Sequence, residues 1–186
     1  MNETLKLIKE RFSCRNFSDR VPTGEELNLI AQAAIQSPSG MNRQHWEVIV
    51  ITNKELLSEL EQEGMKNLEK MDKDFYERIM SRTGNLFYNA PCMILISVKK
   101  AEPVGSEMVD LGIIAENVVI AATSLGFASL HCGLAGLAFA GDKREYFGDR
   151  LGFPEGYECG IGVLIGSAVN AGTPHEPDQS KITFVD

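Results

Sequence analysis

Leu5, Ile8 and Phe12 recur at helical spacing, which predicts a short amphipathic helix near the start of the chain. Thr23 followed by Glu26 has the form of a capping box, and Leu27, Ile30, Ala31, Ala34 and Ile35 extend it as one apolar stripe. Pro38 should end that second helix at Ser37, because its ring disfavours helical geometry in the residue before it. The stretch from Pro38 to Trp46 then falls in a loop. Val48-Ile49-Val50-Ile51 is a β-branched run that reads as a buried strand leaving the loop. Residues 54–82 are charged, with Leu56, Leu57, Leu60, Met65 and Leu68 marking one or two solvent-facing helices. Pro91 opens a second strand over 93–98, and Ser106 is a candidate cap for a long helix that stops at Leu125-Gly126. That helix is apolar almost all round, so it should be buried on more than one side, in the core or against a second subunit. A strand near 128–131, a small helix around 143–151, a last strand over 161–165 and an extended tail from Asn170 complete the pattern. No repeat or linker divides it, so residues 1–186 are expected to form a single α+β domain.

Composition narrows the partners. The 186 residues are 44% hydrophobic and 24% charged, enough to bury a sizeable core. A net charge of −8 argues against nucleic acid and anionic membranes, which need a basic surface to replace counterions. Met1 to Lys9 lacks the apolar core of a signal peptide, and the most apolar run, 111–125, contains Glu116 and Asn117 and does not read as a transmembrane span. Cys14, Cys92, Cys132 and Cys159 are scattered, without a Cys-x-x-Cys or a histidine pair, so a metal site is not expected and a reducing cytoplasm is the natural setting.

Against that acidic background the cations Arg11 and Arg15 point to one small anion. If the chain is extended after the first helix, Arg11, Ser13 and Arg15 project to one side and Phe12 and Cys14 to the other. Guanidinium forks pair with phosphate oxygens, and a hydroxyl adds a donor. The plainer alternative is that Arg11 favours a helix carboxyl end and Arg15 is a solvated surface charge. In Pro38-Ser39-Gly40-Met41-Asn42-Arg43-Gln44-His45-Trp46, Asn42 and Gln44 each carry a donor and an acceptor suited to the edge of a planar heteroaromatic ring. Gly40 permits close backbone approach, and Trp46 either covers apolar surface or belongs to the core. Ordinary loop punctuation explains the same residues separately.

Taken together, Arg-x-Ser-x-Arg-x-Phe, an amphipathic helix, Pro-Ser-Gly-x-Asn-x-Gln-x-Trp and a following strand resemble the nitroreductase family of flavin enzymes. The resemblance continues through Phe87-Tyr88-Asn89-Ala90-Pro91 and through 121–127. It implies a central, mostly antiparallel sheet surrounded by helices, in an intertwined homodimer with flavin mononucleotide (FMN) at the subunit interface. By similarity, Arg11 and Ser13, with Phe12 between them, would hold the phosphate and ribityl chain, and Arg15 would lie near N1 and O2 of the ring. Pro38, Ser39, Gly40 and Asn42 would reach the ring from the partner subunit, with Gln44 supporting that loop. Cys132 and Gly133 would place backbone against the opposite part of the ring, and Lys181 in the tail would add a phosphate contact. The implied chemistry is a ping-pong hydride transfer from NADH or NADPH to an electron-poor small-molecule acceptor such as a nitroaromatic or quinone, with no catalytic protein nucleophile. A fixed cation near N1 and O2 would favour the reduced flavin. A flavin-storage protein without turnover and a reductive dehalogenase are the alternatives.

The chain departs from the family pattern around the ring. Leu86-Phe87-Tyr88 stands where larger relatives have a basic residue, His45 stands in place of a proline, and Leu130-His131-Cys132-Gly133 replaces an aromatic-bearing version. His45 and His131 are candidate proton donors, although scattered histidines are more often structural. Phe75, Tyr76, Phe87 and Tyr88 are candidates for a lid over a substrate, with helix packing as the competing role.

Overall fold

The computed structural model describes residues 2–100 and 107–185. In chain order the elements are α1 (Glu3–Glu10), α2 (Gly24–Ile35), β1 (Trp46–Ile51), α3 (Lys54–Met71), α4 (Lys73–Arg82), β2 (Cys92–Lys99), α5 (Glu107–Ser124), β3 (Ala128–Cys132), α6 (Arg144–Leu151) and β4 (Tyr157–Gly166). Short 3₁₀ turns occupy Gly40–Asn42, Gly133–Phe139 and Gln179–Lys181. The Ser106 cap lies outside the described residues.

Local signals set several of these boundaries. Thr23 Oγ1 accepts from the Glu26 amide at 3.2 Å, while Glu26 Oε2 accepts from the Thr23 amide at 2.7 Å, so the capping box forms. At the other end of α5, Gly126 takes φ 79, and the Phe127 amide donates back to the Ala122 carbonyl at 2.9 Å. A left-handed residue here reverses the chain directly into β3, at no Cβ penalty.

The four strands form one antiparallel sheet in the order β1-β2-β4-β3. Central β2 alternates between two cores. Met93 and Leu95 face a cluster built with Leu56, Leu60 and Leu68 of α3, whereas Ile94, Ile96 and Val98 face Leu27 and Ile30 of α2 and the long side of α5. Leu111, Ile114, Val118 and Val119 of α5 are buried there, each contributing about 1.5–3 kcal/mol of burial free energy. Helices thus cover both faces of the sheet, the α+β arrangement expected from the pattern.

The expected burial needs two corrections. β1 is an edge strand, paired on one side to β2, and Val50 is 39% exposed. Its β-branched run reflects strand propensity, which does not distinguish an edge from a centre. The stripe of α2 holds for Leu27, Ile30 and Ala34, but Ile35 is exposed, as are Leu5 and Ile8 of α1 and Met108 and Val109 of α5. α1, which packs on α5, buries no residue at all. Among the described residues no helix is long and apolar enough to cross a membrane.

Candidate functional site

Arg11 ends α1 in extended geometry, φ −58 and ψ 143, and its amide still donates to the Leu7 carbonyl. The chain then runs beside β3: Ser13 bridges Ser129 in parallel, and the Cys14 amide donates to the Ser129 carbonyl at 2.9 Å. Cys14 and Phe17 turn into the core and Phe12 packs partly against it. Arg11, Ser13 and Arg15 line a cavity of about 370 Å³, and Phe12 lines it with them, so the predicted alternation holds for Cys14 and not for Phe12. Arg11 Nε is buried without a hydrogen-bond partner. Among the described residues no carboxylate forms an ion pair with either arginine. Two unneutralised guanidinium groups and a hydroxyl facing one cavity suit a phosphate, whose oxygens would satisfy the orphaned Nε–H.

The cavity has a second wall that sequence reasoning missed. After β4 the tail returns alongside the same segment. The Ser18 amide donates to the Ser167 carbonyl at 2.8 Å, Phe17 bridges Ala168, and the Val169 amide donates to the Asn16 carbonyl at 3.1 Å. Gly172 then passes so close to Phe12 that a Cβ there would overlap the ring. Thr173 and His175 line the same cavity as Arg11, Ser13 and Arg15. Lys181 is not among the lining residues; it sits in the exposed Gln179–Lys181 turn with Nζ 3.8 Å from an Asp178 carboxylate oxygen.

The loop from Pro38 to Gln44 is built differently. Met41, Asn42 and Gln44 have φ of 56, 55 and 50, left-handed geometry that costs a non-glycine residue about 1–2 kcal/mol. Side chains hold it in place. The Gly40 amide donates to Asp110 of α5, 3.1 Å from Oδ1 and 3.3 Å from Oδ2, and the Gln44 amide donates to Ser39 Oγ at 3.0 Å. Gln44 Nε2 donates to Asn42 Oδ1 at 3.0 Å, so Gln44 orients Asn42. Asn117 Nδ2 donates to Ser37 Oγ at 2.8 Å just before the loop, and Trp46 is buried just after it in the core between sheet and α5. Pro38 and Asn42 are exposed, Ser39 and Gly40 half-buried. His45 Nδ1 lies 3.9 Å from Glu107 Oε1 without a hydrogen-bond partner. None of the cavities described among these residues is lined by both this loop and Arg11 to Arg15.

At the far end of β3, Cys132 is buried and burial pushes its thiol up to about 11, so it is a packed neutral group and not a nucleophile. Gly133 is exposed at the start of a 3₁₀ turn. Before them, His131 Nε2 lies 3.5 Å from Glu116 Oε2. Burial lowers the His131 pKa, the Glu116 carboxylate opposes this, and the nearby Arg11 charge lowers it further. Phe87 is core, not lid, and Phe75 and Tyr76 pack against the same cluster. Glu61 of α3 accepts the Leu86 and Phe87 amides at 2.8 and 2.6 Å, which fixes the turn ahead of β2, where half-buried Tyr88 has φ 53.

An antiparallel sheet enclosed by helices, with an arginine-lined cavity beside β3 and an amide-rich loop in left-handed geometry near α5, defines an α+β fold with a cationic cavity. Residues 8–166 match the model of the nitroreductase family, and the chain belongs to that family. A Desulfitobacterium hafniense nitroreductase whose crystal structure contains bound FMN superposes with a TM-score of 0.95 at 53% identity, over 100% of both chains. A Bacteroides fragilis nitroreductase, also with bound FMN, gives 0.88 at 29% identity over 100% of both. An Archaeoglobus fulgidus protein provisionally named NADH dehydrogenase/NAD(P)H nitroreductase is 27% identical over 179 residues, 95% of this chain and 88% of that protein.

Proposed function

We propose that the chain is an FMN-dependent oxidoreductase that uses a reduced nicotinamide and an electron-poor acceptor. The observation that carries this is the convergence of Arg11, Ser13 and Arg15 on one cavity, with Arg11 Nε buried and unpartnered, in a family whose similar members hold FMN. When bound, the flavin supplies two-electron hydride chemistry, in ping-pong order, between the nicotinamide and an acceptor such as a nitroaromatic or quinone.

This chain's own residues bind and orient. Arg11 and Ser13 hold the phosphate end, and Arg15 supplies positive charge to N1 and O2 of the ring. From the Ser13–Ser129 bridge to Cys132 is three residues of β3, about 10 Å at 3.3 Å per residue, which suits a sugar-alcohol chain between phosphate and ring. Cys132 and Gly133 thus stand at the ring end of that span.

Pro38, Ser39, Gly40 and Asn42 serve the ring of a second subunit. The loop shares no described cavity with the arginines of its own chain. The exposed Leu5, Ile8, Leu29, Ile35, Met108 and Val109 would be the apolar surface that a homodimer covers.

Purified protein should carry a yellow chromophore that denaturation releases and that anaerobic NADH or NADPH bleaches. A colourless protein that ignores added FMN would refute the reading. A bound flavin that neither nicotinamide reduces would leave a binding protein without turnover.

A further inference from the structure

Nothing in the family pattern of Arg-x-Ser-x-Arg or Pro-Ser-Gly-x-Asn explains why Thr173 and His175 line the anion cavity. Backbone pairing of 16–18 with 167–169 sets the register of the returning tail, and Gly172 seats it against Phe12. Just beyond Gly172, Thr173 and His175 line the same cavity, bringing one hydroxyl and one imidazole to a space also lined by two guanidinium groups. The charged groups that line the cavity with His175 are Arg11 and Arg15. On its own segment Glu176 adjoins it, and Asp178 pairs with Lys181.

Resting on the flavin reading above, we propose that Thr173 and His175 close the phosphate end of the site, and that imidazolium His175 joins Arg11 as a second cation on the bound phosphate, with Arg15 left to the ring. Histidine is the side chain that ordinarily changes charge between about pH 5 and 8. A phosphate dianion held between Arg11 and His175 favours the cationic imidazole. Cofactor retention is thereby coupled to proton uptake, so that acid strengthens the clamp and alkali relaxes it. Lys181, the cation nearer the end of the chain, takes no part in the closure.

The test compares FMN and riboflavin, which differ by the phosphate, binding to the full-length apoprotein near pH 6 and near pH 8. The phosphate itself titrates near pH 6, so the readout is the ratio of wild type to His175→Gln at each pH, in which that contribution cancels. His175→Gln should weaken FMN about tenfold near pH 6 and about twofold or less near pH 8, the loss of one charge-assisted hydrogen bond. Riboflavin affinity should not change, and His175→Arg should restore FMN binding at both pH values. Equal FMN affinity of wild type and His175→Gln near pH 6 would overturn the proposal. So would an equal loss for riboflavin, or a loss of the same size at both pH values. Failure of the wild type to bind FMN at any pH is a distinct result that removes the flavin reading as well.

Discussion

The two halves of the candidate site are held by different means. Arg11 to Arg15 is fixed through main chain, to β3 at Ser129 on one side and to the returning tail through residues 16–18 on the other. Pro38 to Gln44 has main-chain bonds only within its own turn, and side chains hold it otherwise: Asp110 on the Gly40 amide, Ser39 on the Gln44 amide, Gln44 on Asn42. Three of its residues also sit in left-handed geometry. A main-chain frame survives most substitutions, whereas a side-chain frame changes with any one of its few members. The proposed phosphate end should accordingly tolerate variation in its frame and depend on its outward groups, while the proposed ring end should be adjustable through residues that touch no ligand.

The largest effect should come from removing an outward group of the first half. Arg11→Ala should weaken FMN binding about 10- to 100-fold, the range of one or two charge-assisted hydrogen bonds, with melting temperature nearly unchanged; fluorescence titration of the apoprotein measures it. Arg15→Ala should weaken binding and slow anaerobic flavin reduction more than Lys181→Ala does. Negligible, equal effects from both would remove the role assigned to Arg15.

Next comes an attack on each frame. Asp110→Ala leaves the Gly40 amide without its carboxylate and should cost about 1–3 kcal/mol, with hydrogen exchange accelerated at Gly40 and unchanged at Cys14. Gly172→Ala drives a methyl group into Phe12 and should cost about 1–3 kcal/mol while loosening the tail, with the opposite exchange pattern. If both variants loosen both segments alike, the halves are not mechanically separate.

Smaller still is the strain in the loop. Met41→Gly removes a left-handed penalty but adds unfolded-state entropy, so its net stability change should stay within about 1 kcal/mol, measured by denaturant unfolding.

The smallest effect is the acid response of His131. Its folded pKa lies below the ordinary histidine value, so the unfolded chain takes up the proton first. Its contribution is present above about pH 6.5 and is lost as pH falls through the folded value. His131→Gln should therefore flatten the decline in stability below about pH 6.5, in urea melts at stepped pH.

Features written in neighbouring residues were legible in the chain. The Thr23–Glu26 box, the helix end before Pro38, the left-handed stop at Gly126 and the outward alternation of Arg11, Ser13 and Arg15 each depend on a few adjacent side chains. Features that depend on what lies across the fold were not. β1 reads as buried, because Val48 to Ile51 says nothing of which strands flank it. Glu61 reaches the Leu86 and Phe87 amides from 25 residues away or more, and Asp110 reaches Gly40 from 70. Thr173 and His175 became cavity residues only when the tail folded back onto the opposite end of the chain. The one available signal was Gly172 next to two polar residues in alternate positions, which is common in any tail.

β3 has a consequence for how this protein can vary. Ser13 is bridged at Ser129, and Cys132 ends the same strand. Adding or deleting one residue between them would change that distance by about 3.3 Å and turn every later side chain to the other face of the sheet. On the proposed flavin reading the strand is a ruler whose graduations are residues, and the length it would measure is that of the ligand. Substitutions along it alter packing; an insertion would alter which molecule fits.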